Sequence, residues 1–411
     1  MKFFFLQNPI RYIRTTSFGS LSVEFDRCPS KSEIDSKMVN LKNMYFATPS
    51  ITEIVKKELH ARKATLTILS DSDTDLLLSK SELPLNLTNH NNPKYEDNFK
   101  KLVESGKKDI KIVIINGLGG AIGDITIGST ALDIVDKKFR QYFKSIKYYV
   151  YNEHLEVCGK YLYPNIRING VLPYPLPVIE LTQFDAYIDL GAMIQWPEFN
   201  DRPMIDFYLD VMGVNSKTVP DYLKRLKLFY NLDFNSKASK FLDGFKLDKK
   251  LLLFNSVSTT ALRSIPDRHV DRLLSELLQE TDYHIVTFKD YPMKDERIIN
   301  LSHISDSFLN YMIVVSKMDK IVTVDTSTYH LADSFNIPTV VLFTSIKSDY
   351  RIKYYSWCEG IQVNPEDSSV VGKHISTDKK ELEKLSEYFE SVSGKLIMEK
   401  FNQLENRRFD R

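Results

Sequence analysis

The chain has 411 residues, a net charge of +1 and 43% hydrophobic residues. A chain of this length exceeds what one core usually serves, so we expect two or three domains. Lysine and glutamate are interspersed without a basic block, which gives no electrostatic basis for binding nucleic acid. Its three cysteines, Cys28, Cys158 and Cys358, are far apart and favour a reducing compartment without a cysteine-based metal site.

The N-terminus begins M-K-F-F-F-L-Q-N, with only a short apolar run at residues 3–6. A signal peptide needs a longer apolar region, so this run is interpreted as a first strand. No segment approaches the roughly 18 to 20 apolar residues of a membrane span. We therefore expect a cytoplasmic protein with at most peripheral membrane contact.

Residues 1–108 show the weakest secondary-structure pattern in the chain. Short strand patterns occur near residues 3–6, 21–25 and 65–69, and a helical pattern covers residues 51–61. This mixture predicts a small α+β extension ahead of the main fold.

A glycine-rich segment follows this extension. A continuous apolar strand at residues 112–115 leads into G-L-G-G-A-I-G-D and then into a helical pattern. This order is typical of the first β–α unit of a doubly wound sheet. Gly119, Gly120 and Gly123 allow a ligand to approach the backbone. Asp124 stands where the turn enters the helix and is predicted to be its N-cap.

The same segment leaves a dinucleotide-dependent oxidoreductase open. The dinucleotide fingerprint places glycine at its sixth position, where Ile122 falls here, and no clear acidic residue follows about 20 residues later. A nicotinamide or flavin site is therefore the weaker alternative.

A second strand-to-helix transition lies near residue 325. An apolar strand at residues 321–324 ends on Asp325, and three hydroxyl residues, 326–328, begin the helix that follows. One interpretation is an ordinary helix N-cap. The other is that the free N–H groups and the positive dipole end of this helix hold a phosphate or diphosphate, with the hydroxyls as additional donors.

A third such transition opens the last part of the chain. A buried strand beginning at Leu251 is followed by a loop containing Thr259, Thr260 and Arg263, and Pro266 then begins a helix. Several hydroxyl donors and one cation after a strand suit a diphosphate.

These motifs resemble the ADP-heptosyltransferase family, glycosyltransferase family nine. The segment D-T-S-T-Y-H-L-A-D-S-F-N-I-P-T-V-V-L-F is similar to the family signature D-T-G-x-x-H-L-x-A-A-x-x-x-P-x-V-x-L-F, and A-I-G-D-I is similar to its Gly-Asp pair. The resemblance implies an α/β protein of the GT-B type, with two Rossmann-like doubly wound domains facing a cleft. We divide the chain into an extension (1–108), an acceptor domain (109–235) and a nucleotide-sugar domain (236–411).

The resemblance also implies an activity. Members are inverting, metal-independent glycosyltransferases that use a nucleotide-sugar and no further cofactor. ADP-heptose is accordingly the first candidate donor, and the acceptor is a hydroxyl on a glycan or a protein. Neither the acceptor nor the oligomeric state follows from the residues.

The resemblance also implies roles for individual residues, assigned by their positions in the matching motifs. The resemblance makes Asp124 the catalytic base. Because a helix N-terminus lowers the pKa of a carboxylate, we expect Asp124 to be a weak base that acts late in the reaction. The implied donor-binding residues are Thr259, Thr260, Arg263, Asp290, Asp325, Thr326, Ser327, Thr328 and His330.

Three residues depart from the family pattern. Ser327 replaces a glycine, Arg263 a lysine and Ile265 a tryptophan. Arginine keeps the charge but prefers bidentate geometry, so the affinity for the donor or its identity is expected to differ. These departures keep open a transferase-like protein that has lost activity and serves in binding or assembly.

Overall fold

The computed structural model describes most of the chain from residue 84 onwards. The described residues are 84–115, 121–150, 181–190, 193, 196–226, 236–245 and 250–409, except 91 and 374, together with the backbone of six short strands within 2–68 and 176–177.

The N-terminal strands form two small antiparallel groups. Strands β1 (Lys2–Leu6), β4 (Met44–Ala47), β5 (Leu66–Ile68) and β9 (Leu176–Pro177) form a sheet of order β5-β1-β4-β9, and β2 (Ile10–Thr16) pairs with β3 (Gly19–Phe25). The strands predicted near residues 3–6, 21–25 and 65–69 are confirmed. The helix predicted at 51–61 lies outside the described residues.

The first α/β layer is a parallel sheet of four strands. They are β6 (Leu85–Asn86), β7 (Asp109–Ile115), β8 (Ser145–Val150) and β10 (Ala186–Asp189), in the order β6-β10-β7-β8. In register, Ile112 pairs with Tyr148 on one side and with Ala186 on the other. Helices α1 (Tyr95–Glu104), α2 (Ile122–Phe139) and α3 (Met204–Val211) belong to this layer.

The second layer is a parallel sheet of six strands. They are β11 (Leu251–Asn255), β12 (His284–Thr287), β13 (Ile298–Asn300), β14 (Lys320–Val324), β15 (Thr339–Phe343) and β16 (Cys358–Gln362). Their order is β13-β12-β11-β14-β15-β16, the doubly wound order with its switch point between β11 and β14. Ligands of such sheets bind outside the carboxyl ends of the strands at this point.

The helices of the second part alternate with these strands. They are α4 (Lys237–Phe245), α5 (Asp267–Glu280), α6 (Phe308–Ser316), α7 (Ser327–Ser334), α8 (Ser348–Ile352), α9 (Lys379–Tyr388) and α10 (Gly394–Phe409). Short 3-10 turns cover Pro197–Phe199, Ser216–Thr218, Asp221–Leu223, Ala261–Arg263 and Phe389–Ser391. None of the helices in the described ranges is long and apolar enough to cross a membrane.

The central strands of both sheets are buried on both faces. Residues 251–254 and 321–322 are fully buried, and the continuous apolar runs that predicted these strands are what a parallel sheet with helices on both faces requires. Helix α5 buries Val270, Leu273 and Leu277, which recur at helical spacing. The predicted fold class, two doubly wound α/β layers, is confirmed.

The predicted domain division at residue 108 stays a prediction, although residues before it pack in the first layer. Strand β6 pairs with β10, and the Tyr95 hydroxyl of α1 donates to the Gly213 carbonyl at 3.2 Å. Gly213 has a φ of +80° and ends α3, which glycine permits without strain.

Candidate functional site

The two sequence motifs, about 200 residues apart, meet in space. Helix α2 begins beyond β7 and helix α7 beyond β14, and their N-termini lie against each other. A Cβ atom on Gly123 would stand 2.8 Å from Cδ2 of His330 and 3.8 Å from Cα of Ser327. Glycine at position 123 is therefore what allows this approach. We call the region around Gly123, Asp124, Arg263, Asp325 and His330 the junction.

Asp124 lies within the first turn of α2 and is not its N-cap, which corrects the prediction. The N-cap is Ala121, in extended conformation, and Asp124 is the third helical residue. The Ala121 N–H hydrogen-bonds the Asp124 carboxyl. This is the returning half of a capping box, in which the third residue reaches back to the N-cap backbone.

The pKa of Asp124 moves opposite to our expectation. Burial raises it, the charges of Arg351 and Arg263 and the Ala121 N–H lower it, and the nearby Asp325 raises it further. The net direction is upward because desolvation of the charged form outweighs the cations and the helix terminus. Asp124 is accordingly a stronger base than the sequence indicated.

On the second layer, Asp325 leaves the end of β14 and is buried. One carboxylate oxygen accepts from the Tyr329 hydroxyl at 3.1 Å, and the other accepts from Nη1 of Arg263 at 3.5 Å. The Ser258 hydroxyl donates to the Asp325 backbone carbonyl at 2.8 Å. These bonds tie the loop after β11 to the end of β14 across the switch point.

Arg263 is fixed by the two threonines of its own loop. Its Nη2 donates to Oγ1 of Thr259 at 2.6 Å, and its Nε donates to Oγ1 of Thr260 at 3.4 Å. The side chain is 21% exposed. The structure thus brings Thr259, Thr260, Arg263 and Asp325 together as one polar group.

The three hydroxyl residues at the start of α7 differ from one another. Thr326 is the N-cap, but its side chain makes no capping bond, and both Thr326 and Ser327 are partly exposed. Thr328 is fully buried. Its hydroxyl accepts from the Asn255 amide at 2.8 Å and bonds the Tyr311 hydroxyl at 2.8 Å. Thr328 therefore stabilises the switch point. The Ser327 hydroxyl lies 3.1 Å from the same Tyr311 hydroxyl.

His330 is a buried packing residue. Its Nδ1 lies 2.5 Å from the Tyr355 hydroxyl, and burial lowers the pKa of His330 to about 3. A neutral imidazole therefore separates the two layers at Gly123. The predicted contact between His330 and a donor stays a prediction; in the structure the His330 ring lies against Gly123.

Asp290 lies one strand further from the switch point. Its carboxylate is 3.4 Å from Nζ of Lys294 and 76% exposed. It borders a cavity of about 310 Å³ at the carboxyl ends of β12 and β13, lined by Thr287, Asp290, Tyr291, Met293, Lys294, Asp295, Glu296, Ile298 and Asn300. Of the three glycines predicted to let a ligand approach the backbone, as part of the acceptor domain, Gly119 and Gly120 lie outside the described residues.

Sequence reasoning missed Arg351, which lies in α8 beyond β15. The residue is only 7% exposed, and its charge acts on Asp124. Its signal in the sequence was its place at the same sheet edge as Arg263, a cation shortly after a buried strand.

A buried polar group also fastens the layers beside the junction. Nζ of Lys224 lies 2.7 Å from Oδ1 of Asp206 and 3.1 Å from the Tyr354 hydroxyl, which donates to Oδ2 of Asp206 at 2.6 Å. The Lys224 side chain is 4% exposed. Asp206 belongs to α3 and Tyr354 to the segment after α8, so this group holds one layer against the other.

Within the described ranges, His, Cys, Asp and Glu side chains form no group of three that could hold a metal ion. Cys358 is buried, and burial raises the pKa of its thiol. Cys28 and Cys158 fall outside the described residues.

Comparison with known proteins shows which solved structures share the fold of this chain. No family model and no curated protein matches the chain. The solved structure of the Escherichia coli ADP-heptose lps heptosyltransferase II has 14% identity and a TM-score of 0.52, over 73% of this chain and 99% of that one. The glycosyl transferase family 9 protein of Veillonella parvula has 15% identity and a TM-score of 0.50, over 72% and 97%. The chain therefore has, at the level of the fold, the GT-B architecture of the family-nine heptosyltransferases.

Proposed function

We propose that this protein is an inverting glycosyltransferase that moves a sugar from a nucleotide diphosphate to an acceptor hydroxyl. ADP-heptose is the first candidate donor, because the E. coli neighbour is an ADP-heptose lps heptosyltransferase. The observation that carries the proposal is the contact of Gly123 with His330. It sets a carboxylate of one layer beside the cation and hydroxyls of the other.

The reaction is a direct displacement at the anomeric carbon of the donor sugar. The acceptor oxygen forms the new bond, its proton passes to the Asp124 carboxylate, and the nucleoside diphosphate leaves with the bonding electron pair. A base is most effective when its pKa approaches the working pH. The raised pKa of Asp124 supports this role.

The leaving diphosphate gains negative charge as the bond breaks. Arg263, held by Thr259 and Thr260, supplies a fixed cation. The N-terminus of α7, where the Thr326 side chain makes no capping bond, supplies first-turn N–H groups and the positive end of the helix dipole, with Thr326 and Ser327 beside it. Preorganised donors of this kind stabilise a developing charge without reorganising.

The cavity beside β12 and β13 is our proposed place for the nucleoside. Its volume of about 310 Å³ lies at the lower end of the range of small-molecule sites. Carboxylates of Asp290 and Glu296 border it and are acceptors for ribose hydroxyls.

We propose a cytoplasmic enzyme that needs no resident metal or cofactor and acts on a hydroxyl of a glycan or a protein. Sugar transfer itself balances without a redox partner, because only a glycosidic bond is exchanged and one proton moves.

Calorimetric titration with ADP, GDP, UDP and CMP tests the donor site. We expect one nucleotide to bind selectively and Asp325→Ala to weaken it tenfold or more, about 1.4 kcal/mol. Asp282→Ala, at an exposed position on the opposite edge of the sheet, is the control and should change nothing. If none of the four nucleotides binds, the proposed donor site is wrong. The two alternatives, a transferase-like binding protein without activity and an oxidoreductase, would then be favoured.

A further inference from the structure

Arg351 is a buried cation without a matching ion pair in the described part of the chain. Its Cζ lies 5.6 Å from the centre of the Phe199 ring. Its Nη1 is buried and has no hydrogen-bond partner among the described residues. A guanidinium stays charged inside a protein, and an unbalanced buried charge is costly. The surroundings of Arg351 must therefore supply a compensating negative charge.

Five groups whose pKa values are shifted in the folded chain feel the charge of Arg351. They are Asp124, Tyr208, Tyr329, His330 and Tyr355. Burial raises the pKa of each tyrosine and lowers the pKa of His330 to about 3, so these four are neutral near pH 7. Asp124 is the one carboxylic acid among the five. The buried Asp325 nearby already pairs with Arg263 at 3.5 Å, which leaves Asp124 as the candidate partner of Arg351.

Packing holds Arg351 close to α2. Tyr355, four residues further on, bonds Nδ1 of His330 at 2.5 Å. The His330 ring in turn lies against Gly123, the neighbour of Asp124. Tyr354 is fixed to Asp206 of α3 at 2.6 Å. The segment that carries Arg351 is thus bonded directly to the first layer through Tyr354, and it contacts that layer indirectly through His330 at Gly123.

We propose that Arg351 is a positioning residue of the transfer site, whose buried guanidinium keeps the Asp124 carboxylate ionised at the desolvated junction. Its importance for catalysis rests on the proposed function. The coupling between Arg351 and Asp124 is a property of the folded chain alone.

The other charges around Asp124 show why a second cation is needed. Arg263 approaches from the loop after β11 and Asp325 from the end of β14, while the Tyr208 hydroxyl belongs to α3. A bound diphosphate occupies the charge of Arg263. Arg351 then remains to balance Asp124 at the moment when the base accepts the acceptor proton.

A double-mutant cycle measures the coupling without substrate. Urea unfolding is followed between pH 4 and pH 8 for the wild type, Arg351→Gln, Asp124→Asn and the double variant. At pH 8 we expect Arg351→Gln to lower the folding equilibrium constant at least tenfold more with Asp124 present than in the Asp124→Asn background. Equal costs in both backgrounds at pH 8 would overturn the proposal.

The sign of the pH dependence follows from the raised pKa of Asp124. Because the folded state holds this proton more tightly than the unfolded chain, the stability that the group contributes is full below its unfolded pKa. It is lost as pH rises through the folded pKa. Without the cation of Arg351 the folded-state pKa of Asp124 should rise further, so the loss of stability should continue to higher pH. The coupling free energy between Arg351 and Asp124 should therefore vanish towards pH 4 and grow towards pH 8.

Two further variants separate charge from packing. Arg351→Lys keeps the cation and should recover part of the coupling. Arg225→Gln removes another arginine between the layers, one that contacts Asp333 and Asn336. Its loss of unfolding free energy should simply add to that of Asp124→Asn. A similar coupling for Arg225 would mean that a general loosening of the layers had been measured.

An activity profile links the coupling to catalysis. With ADP-heptose as the probe, Arg351→Gln should move the acidic limb of kcat/KM upward by about one pH unit. If the protein binds no nucleotide but shows the coupling, the proposed function fails and the role assigned to Arg351 in the fold stands. If nucleotide binds and the coupling is absent, only the role of Arg351 fails.

Discussion

The two sides of the junction are built differently. On the second layer, Thr259, Thr260 and Arg263 come from one short loop and bond one another, so the donor side is organised by residues close in sequence. On the first layer, Asp124 is surrounded by groups from elsewhere, including Arg351 and Asp325. Local chemistry can be predicted from a sequence, whereas the character of Asp124 depends on packing between layers.

Breaking the interlayer contact should have the largest effect on stability. Lys224→Met leaves the buried Asp206 carboxylate without its cation, which costs about 3–5 kcal/mol when a buried pair loses one partner. Urea unfolding measures this loss. Lys217→Met, at an exposed position in the same region, should stay within about 0.5 kcal/mol of the wild type.

Adding Asp206→Asn to Lys224→Met should recover part of the stability, because it removes the uncompensated charge. No recovery would mean that the apolar stem of Lys224, and not its charge, holds the layers together.

Removing the donor-side cation should weaken nucleotide binding by roughly 10- to 100-fold, since hydrogen bonds to charged groups contribute about 1.5–3 kcal/mol. The change is Arg263→Ala, measured by calorimetry with ADP. Arg268→Ala removes a cation that is 55% exposed on α5, beside Glu390, and should leave the affinity unchanged. Equal losses in the two variants would point to a non-specific charge effect.

Alanine in place of Gly123 fills the space between the N-termini of α2 and α7. Its effect on stability should show whether the close contact there outweighs the higher helix propensity of alanine. Alanine in place of a helical glycine ordinarily stabilises by up to about 1 kcal/mol, and Gly244→Ala, with open space around its Cβ position, should follow that rule. Gly123→Ala places a Cβ 2.8 Å from the buried His330 ring and should instead cost about 1–3 kcal/mol. Thermal unfolding of both variants gives the comparison; a gain in both would contradict the close contact.

The smallest effect expected is that of one hydroxyl. Thr259→Val removes the acceptor for Nη2 of Arg263 and should weaken ADP binding about fivefold, as the loss of one ordinary hydrogen bond does. Thr218→Val, on an exposed turn of the first layer, is the matched control. A loss as large as that of Arg263→Ala would show that the threonine itself contacts the ligand.

What the sequence predicted well depends on short-range pattern. The strands of the second sheet are continuous apolar runs, and their order follows from alternating β and α segments. The positions of Asp325, Arg263 and Asp124 at the ends of strands or the starts of helices were predicted for the same reason.

What the sequence did not predict depends on partners from distant segments. The bonds of Asn255 and Tyr311 to the buried Thr328 hydroxyl were not predicted, while the predicted contact of Thr328 with the donor stays a prediction. Asp124 was expected to have a lowered pKa because it stands at a helix N-terminus. Its pKa is raised instead by burial, and burial between two layers leaves no local signature in the sequence. His330 and Arg351 obtain their surroundings from the same interlayer packing.

The most direct test of the whole account separates binding from chemistry at Asp124. The release of ADP from ADP-heptose, with water as the acceptor, is measured for the wild type and Asp124→Asn beside the Kd for ADP of each. A lost general base predicts release at least about 100-fold slower, with the Kd unchanged within about twofold. Equal release rates, or a Kd that weakens together with the rate, would contradict the division of labour between the two sides of the junction.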